Sequence, residues 1–130
     1  MDLTEAPTSN AEEKSTPLNH IQISEITLPA DCAPILDRKM RLRRLDIFPG
    51  GVIGLHDHSN RPAILFVLKG SMTIHEDQAD APIIVNEGES VSEVGVKHYA
   101  VNNSDSDPLT LLTFDLLDDG KPADRECTGC

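Results

Sequence analysis

The sequence predicts an all-β domain of the sandwich or jelly-roll barrel type. Short apolar or alternating segments recur at close spacing, and Pro, Gly, Asn and Asp separate them. The run from Ala63 to Leu68 is apolar on both alternating faces, which is typical of a central strand buried between two sheets. Helix-period patterns are weak throughout. At 130 residues, one domain with a single core is the economical expectation.

Eight segments carry strand signals, because they are β-branched or alternating and end at turn-forming residues. In chain order they are HIQISEITL, RKMRLRRLDIF, GVIGLHDH, AILFVLKGSMTIHE, PIIVN, SVSEV, HYAVNN and PLTLLTFDLL. The stretch that begins at Lys69 indicates a strand, a polar turn and a return strand. The segment CAPILDRKM could form at most one helical turn, since Pro34 limits it.

The two ends of the chain differ from its middle. Residues 1–18 are rich in Thr, Ser, Pro, Asn and Glu, and are too polar to repay the entropy of ordering. Residues 118–130 have a similar character and follow the last apolar segment. We therefore expect a flexible acidic arm at 1–18, a barrel at 19–117 and a flexible tail at 118–130.

The charge balance excludes some classes of partner. The chain has 11 Lys plus Arg against 22 Asp plus Glu, a net charge of -11, which argues against nucleic acid or an anionic membrane as partner. No stretch approaches the roughly 20 apolar residues of a membrane span, and the start lacks a secretory signal. Three cysteines, Cys32, Cys127 and Cys130, imply no disulfide framework. We expect a cytoplasmic protein that binds a small molecule.

Two of the five histidines, His56 and His58, lie one residue apart in the stretch GGVIGLHDHSNRPAILFVLKG from Gly50 to Gly70. Alternate side chains of a strand point to the same face. A His-x-His pair on a strand therefore aims two imidazoles at one point. The two imidazoles are therefore candidate ligands of a metal site.

A second motif lies downstream, where Gly95 precedes His98 and Asn102 follows it. The two motifs together resemble those of the cupin superfamily, small β-barrels that hold one divalent metal. In that family the first motif provides two histidines and a glutamate, and the second provides a histidine. The resemblance covers about Phe48 to Phe114. It implies the cupin double-stranded β-helix jelly-roll barrel, and resemblance to small single-domain cupins implies a homodimer.

The chain departs from the family pattern at the glutamate ligand. Its expected positions hold Pro62 and Ala63, which cannot bind a metal. In the second motif, Glu93 stands where a proline is usual, and the opening glycine fits only as Gly88, shifted by one.

The remaining metal ligands are then three imidazoles. The resemblance implies His56, His58 and His98, a neutral face that suits Fe, Zn, Ni, Cu or Mn, with Fe preferred. Without a carboxylate the metal would keep its full double charge, which favours anionic chelating substrates.

The leading functional hypothesis is an iron-dependent dioxygenase, by similarity to three-histidine iron cupins. Two alternatives remain open: a non-catalytic cupin that binds a small ligand or serves in regulation, and a metal-assisted lyase or isomerase that needs no oxygen. The sequence identifies neither the substrate nor a catalytic residue.

Three further features have a functional and a structural interpretation. Asn102 could orient a ligand or form a structural hydrogen bond to the adjoining turn. Within the basic run RKMRLRR, Arg44 could hold a substrate carboxylate inside the barrel, or the run could be a charged edge strand. The CTGC end, Cys127 to Cys130, could reach a metal, although a flexible tail is the simpler interpretation.

Overall fold

The computed structural model describes residues 17–28 and 38–117, and its regular elements are eight β-strands. They are β1 Met40–Ile47, β2 Val52–Asp57, β3 Ala63–Lys69, β4 Ser71–Glu76, β5 Ile83–Asn86, β6 Ser90–Glu93, β7 Lys97–Asn102 and β8 Leu109–Leu116. Within the described ranges, no helix is long and apolar enough to cross a bilayer. Most of the expected arm, the possible helical turn near Pro34 and the whole expected tail, with Cys127 and Cys130, lie outside the described residues.

The strands form two four-stranded antiparallel sheets. One has the order β1-β8-β3-β6 and the other β2-β7-β4-β5. Eight strands alternating between two sheets in this order make a jelly roll. The all-β prediction is therefore confirmed, and β1, which carries the basic run, lies at a sheet edge.

The long segment from Ala63 to Glu76 divides into β3 and β4 at Gly70. The φ angle of Gly70 is 98°, a region that side-chain-bearing residues rarely adopt. A Cβ atom there would also lie 3.3 Å from the Leu109 Cα atom. Conformation and close approach together require glycine at this turn.

The predicted strand at residues 20–28 is wrong, because this segment has no regular secondary structure. It runs beside β6, where the Ser24 and Ser92 hydroxyls lie 3.2 Å apart and Ser92 donates to the Glu25 carbonyl. β6 is only four residues long. It therefore offers little edge for an added strand to pair with, and the two segments meet through the side chains of Ser24 and Ser92.

The core between the sheets is aliphatic, as expected for a chain with no Trp, one Tyr and three Phe. Its fully buried members come from both sheets and pack in one cluster. They are Leu65, Val67, Met72, Ile74, Val85, Ala100, Leu109 and Leu111. Four of them, Leu65, Met72, Ile74 and Ala100, also line the cavity that contains the polar residues described below.

One row of residues crosses the whole first sheet and faces inward. Arg41 pairs with Asp115, Asp115 with Ala63, and Ala63 with Glu93. The Asp115 carboxylate accepts two hydrogen bonds from Arg41, at 3.0 and 2.8 Å, and one from Arg61 at 2.7 Å. Burial alone would raise the pKa of Asp115, but these hydrogen bonds and charges lower it. Asp115 is therefore a buried carboxylate with matched guanidinium partners.

Asn102 ties together the backbone at one end of the barrel. Its amide nitrogen donates to the carbonyls of Ile47, Phe48 and Asp107 at 2.9–3.1 Å, and its oxygen accepts from the Ser104 amide at 3.0 Å. The residue is only 3% exposed. Each of these backbone groups would lose a partner if the amide were removed.

We predict that Asn102→Ala lowers the free energy of unfolding by about 2–3 kcal/mol, because it leaves buried carbonyls unsatisfied. The exposed neighbour is the control: Asn103→Ala should cost less than about 1 kcal/mol. Urea unfolding measures both. Equal losses in the two variants would contradict the structural role of Asn102.

Candidate metal centre

A β-bulge in β2 turns His56 toward the interior. Ile53 pairs with Ala100 and His56 with His98, so three residue steps on β2 match two on β7. Ile53 and His56 both line the interior cavity, which strict alternation would not allow for residues three apart. The extra residue therefore places the His-x-His pair on the inner face.

The structure brings together all three histidines expected from the motifs. His58 follows the end of β2, and its amide donates to the Val96 carbonyl at 2.8 Å. His98 lies on β7 opposite His56. The three ring centroids are 4.6–4.9 Å apart, and the three histidines are only 3–6% exposed. One buried site thus contains imidazoles that are 42 residues apart in the chain.

Backbone carbonyls orient two of the rings. The Nδ1 atom of His56 lies 2.7 Å from the Gly54 carbonyl, and that of His58 lies 2.9 Å from the Arg61 carbonyl. A carbonyl only accepts, so each Nδ1 carries the proton and each Nε2 presents a lone pair. The Nδ1 atom of His98 has no hydrogen-bond partner among the described residues. In His98 it is the Nε2 atom that faces the other ligands.

A fourth residue, Glu93, completes the site, and sequence reasoning missed it. One carboxylate oxygen of Glu93, Oε2, lies 2.8 Å from the Nε2 atoms of both His58 and His98. Glu93 pairs directly with Ala63, one of the two positions at which the family's glutamate is expected. Directly opposite Cβ atoms lie about 4.5–5.5 Å apart, so a side chain from either strand can reach the same point. The carboxylate of this site thus comes from β6, the strand that pairs with β3.

The protonation states in the site follow from burial and from contacts. Burial lowers the pKa of His56 to about 4, partly offset by its hydrogen bond to Gly54, so this ring is neutral near pH 7. Burial alone would raise the pKa of Glu93. The interactions with His58 and His98 outweigh it and hold that pKa well below its usual range. The site therefore contains an ionised carboxylate among imidazoles.

This donor set fits a divalent transition metal. The ligand atoms of His56, His58, Glu93 and His98 lie within 4.8 Å of one another. The Nε2 atoms of His56 and His98 are 3.1 Å apart, and the Nε2 atom of His58 has no well-formed hydrogen bond despite its closeness to Glu93. Of the three rings, only His98 can have a proton on Nε2. One proton cannot satisfy the lone pairs of His56 Nε2, His58 Nε2 and the Glu93 carboxylate together. A cation can satisfy all of them, and imidazole with carboxylate suits several metals.

The two other candidate residues lie away from this cluster. The Asn102 side chain contacts the backbone groups described above, which matches the structural alternative. Arg44 lies on the outer face of β1, its side chain 64% exposed and paired with Asp46 at 3.2 Å. It therefore does not point into the barrel. The inward position belongs to its neighbour Arg43.

The ligands line an interior cavity of about 30 Å³. Its remaining lining combines apolar and polar residues. The apolar residues are Leu45, Ile53, Ala63, Leu65, Met72, Ile74 and Ala100, and the polar ones are Arg43, Arg61 and Thr113. A small anion is the kind of ligand that such a wall suits.

Glu93 and Arg43 were missed for reasons of register. The sequence did contain a signal for Glu93. Alternation places Glu93 on the same face of its strand as the apolar Val91, and Ala63 stands at one of the positions where a glutamate ligand is expected. Arg43 shares a face with Arg41, but the sequence alone does not say which face of β1 is buried. Strand pairing was the missing information in both cases.

Comparison with known proteins agrees with the fold. Residues 43–115 match the family described as Cupin domain. Germin-like protein subfamily 3 member 1 from Arabidopsis thaliana is 33% identical over 81 residues, 59% of this chain and 39% of that protein. The chain thus spans about two fifths of the length of this curated relative.

Two solved structures are similar. One is described as a predicted oxalate decarboxylase from Thermotoga maritima: it is 26% identical, with a TM-score of 0.50, over 61% of this chain and 68% of that chain. The other is oxalate oxidase in complex with the substrate analogue glycolate, 22% identical, with a TM-score of 0.51, over 62% and 44%. The second likeness supports the fold alone.

We predict that Glu93→Ala lowers metal affinity by more than the roughly 10–100-fold typical of an outer-shell partner, because a ligand is lost. Adding Ala63→Glu should restore a large part of the affinity, since the opposite position on β3 reaches the same point. Isothermal titration with Mn²⁺ or Fe²⁺ under anaerobic conditions measures both.

The control for Glu93 is Glu87, which is exposed in the loop between β5 and β6. Glu87→Gln should leave metal affinity unchanged. Full metal affinity in Glu93→Ala would show that the carboxylate is not a ligand.

Proposed function

Because the chain belongs to the cupin family, we propose that it is a metal-dependent enzyme acting on a small anionic chelating substrate, and specifically an iron-dependent dioxygenase. The observation that carries the proposal is the convergence of His56, His58, His98 and Glu93 in one buried site. These four side chains would be the metal ligands. A bound iron would supply Lewis acidity and the ability to react with oxygen.

The chain's own residues would bind and shield the substrate. Four protein donors are fewer than the six ligands of an octahedral metal, so the set is compatible with a substrate that binds the metal. The apolar lining residues, among them Leu65 and Met72, would keep bulk water from the surfaces that they cover. Arg43 and Arg61, in the same lining, would attract an anion and help to orient it.

Glu93 changes the electrostatic basis for an anionic substrate. The sequence led us to expect a neutral ligand set, in which the metal keeps both positive charges. An ionised Glu93 cancels one of them. The preference for an anion then rests on the remaining metal charge together with the guanidinium groups in the cavity wall.

A metal-assisted lyase that needs no oxygen is the second candidate. The likeness to a structure described as a predicted oxalate decarboxylase favours it, and makes oxalate the first substrate to try. A non-catalytic ligand-binding or regulatory cupin is the third. It would need no bound metal, whereas the surplus of lone pairs in the site favours one.

We extend the proposal to a homodimer in the cytoplasm. Support for the dimer comes from the outer face of the first sheet, where Leu42 and Phe114 pair and are 61% and 44% exposed. The odd number of cysteines supports a reducing compartment. Light scattering should give twice the chain mass, and Phe114→Arg should halve it.

The enzyme proposal predicts that protein purified without an affinity tag contains close to one equivalent of a transition metal. His98→Ala should lose that metal and keep its fold, as judged by circular dichroism. A content below about a tenth of an equivalent would overturn both enzyme candidates.

Oxygen consumption separates the two enzyme candidates. The iron form should consume oxygen with a small carboxylate, thiol or diketone if it is a dioxygenase. Turnover of oxalate under anaerobic conditions would instead identify a lyase. An electrode assay with and without Glu93→Gln links either activity to the site.

A further inference from the structure

We propose that Arg43 and Thr113, in the lining of the cavity, bind the second charged group of a short dianionic substrate. These two residues would then determine the preference for a dianion over a monoanion. The inference rests on the proposed function, in which the first charged group of the substrate binds the metal. It names the substrate class, which the ligand set alone does not. Nothing in the four metal ligands distinguishes a monoanion from a dianion.

The first observation is a group of arginines in and beside the cavity lining. Arg41, Arg43 and Arg61 surround the carboxylate of Asp115 at 2.8, 3.8 and 2.7 Å. Glu93 is a second negative charge that acts on Arg43. Arg43 and Arg61 line the cavity itself, and their side chains are only 18% and 12% exposed. A guanidinium group in such a position is stabilised by an anion.

The second observation is independent of charge and concerns Thr113. The residue is 6% exposed, and its hydroxyl oxygen has no hydrogen-bond partner among the described residues. Leaving a buried hydroxyl without a partner is costly, and native proteins seldom do so without a reason. Thr113 lines the same cavity as the metal ligands. A ligand oxygen there would satisfy it.

The two residues act at one place because of strand register. Arg43 on β1 lies directly opposite Thr113 on β8. Both residues lie on the inner face of the first sheet. The row that ends at Glu93 is next to them on this face, because its members Arg41 and Asp115 are two residues from Arg43 and Thr113. A guanidinium and a hydroxyl side by side form a donor pair that suits a carboxylate.

The closeness of the metal ligands to the Arg43–Thr113 pair limits the length of the dianion. Glu93 belongs to the same cavity lining as this pair, and its row on the first sheet lies two residues away from the pair. The two anionic groups of the substrate must therefore be close together. Short dicarboxylates meet this condition, and long ones do not.

The test compares oxalate with oxamate, its monoamide, which has nearly the same shape and one negative charge fewer. Both are titrated anaerobically into the metal-loaded protein. Wild type should prefer oxalate, and Arg43→Met should reduce that preference by at least about tenfold, since a charge-assisted hydrogen bond is lost. Arg44→Met, one residue along and on the outer face, should leave the preference unchanged.

Thr113 provides a variant that should fold normally. Thr113→Val keeps the shape and removes a hydroxyl that has no protein partner, so the melting temperature should not fall. Oxalate affinity should fall about three- to tenfold, as expected for one hydrogen bond. Thr113→Ser, which retains the hydroxyl, should retain the affinity. A purely structural role would lower the melting temperature of Thr113→Val and leave oxalate binding intact.

The outcomes separate this inference from the proposed function. If the metal-loaded wild type binds both anions and Arg43→Met leaves the preference for oxalate unchanged, the inference is wrong and the proposed function stands. A preference of the wild type for oxamate would likewise show that the inference is wrong and would leave the proposed function standing. If the metal-loaded protein binds neither anion, the inference is overturned, whereas the proposed function is overturned only if the protein purified without an affinity tag lacks a transition metal.

Discussion

The contact of Glu93 with two imidazoles is the interaction on which the site depends. A carboxylate that is 4% exposed is tolerable only when positive charge or hydrogen-bond donors replace the water it has lost. His98 supplies part of that replacement at 2.8 Å, whereas the Nε2 atom of His58, at the same distance, presents a lone pair. Because their Nε2 atoms also face His56, the same geometry that stabilises Glu93 gathers four ligand atoms around one point. A bound cation would complete the compensation that the imidazoles begin.

The register of the first sheet explains why this compensation is possible. In the row from Arg41 through Asp115 and Ala63 to Glu93, an arginine lies beside the first carboxylate and the small alanine separates the two carboxylates. Ala63 leaves the space that a glutamate on β3 would otherwise fill. Arg61 connects the two halves of the row, since its guanidinium binds Asp115 and its carbonyl accepts from His58. The arginine cluster and the metal site are thus one hydrogen-bonded unit, and a shift of one strand would disrupt both.

The fold and the meeting of the three histidines could be predicted from the sequence, because they depend on local patterns and on the spacing of two motifs. Alternation and turn residues indicate strands, and the His-x-His spacing places two imidazoles on one face. Glu93 could not be assigned, since its role depends on which residue of β3 it pairs with. The bulge after Ile53 and the inward direction of Arg43 are equally matters of pairing. The false strand at residues 20–28 shows the converse, that a good local pattern fails when the neighbouring edge is short.

The acidic surface and the basic interior act over different distances. A net charge of -11 repels anions from afar, but salt screens exposed charges beyond about 8 Å at physiological ionic strength. Inside the barrel the dielectric is lower, and the guanidinium groups around Asp115 act on a ligand with little screening. A polyanion must overcome the surface repulsion along its whole length, whereas a small anion overcomes it once and then meets the interior charge. The same charge distribution therefore disfavours nucleic acid and favours a compact anion.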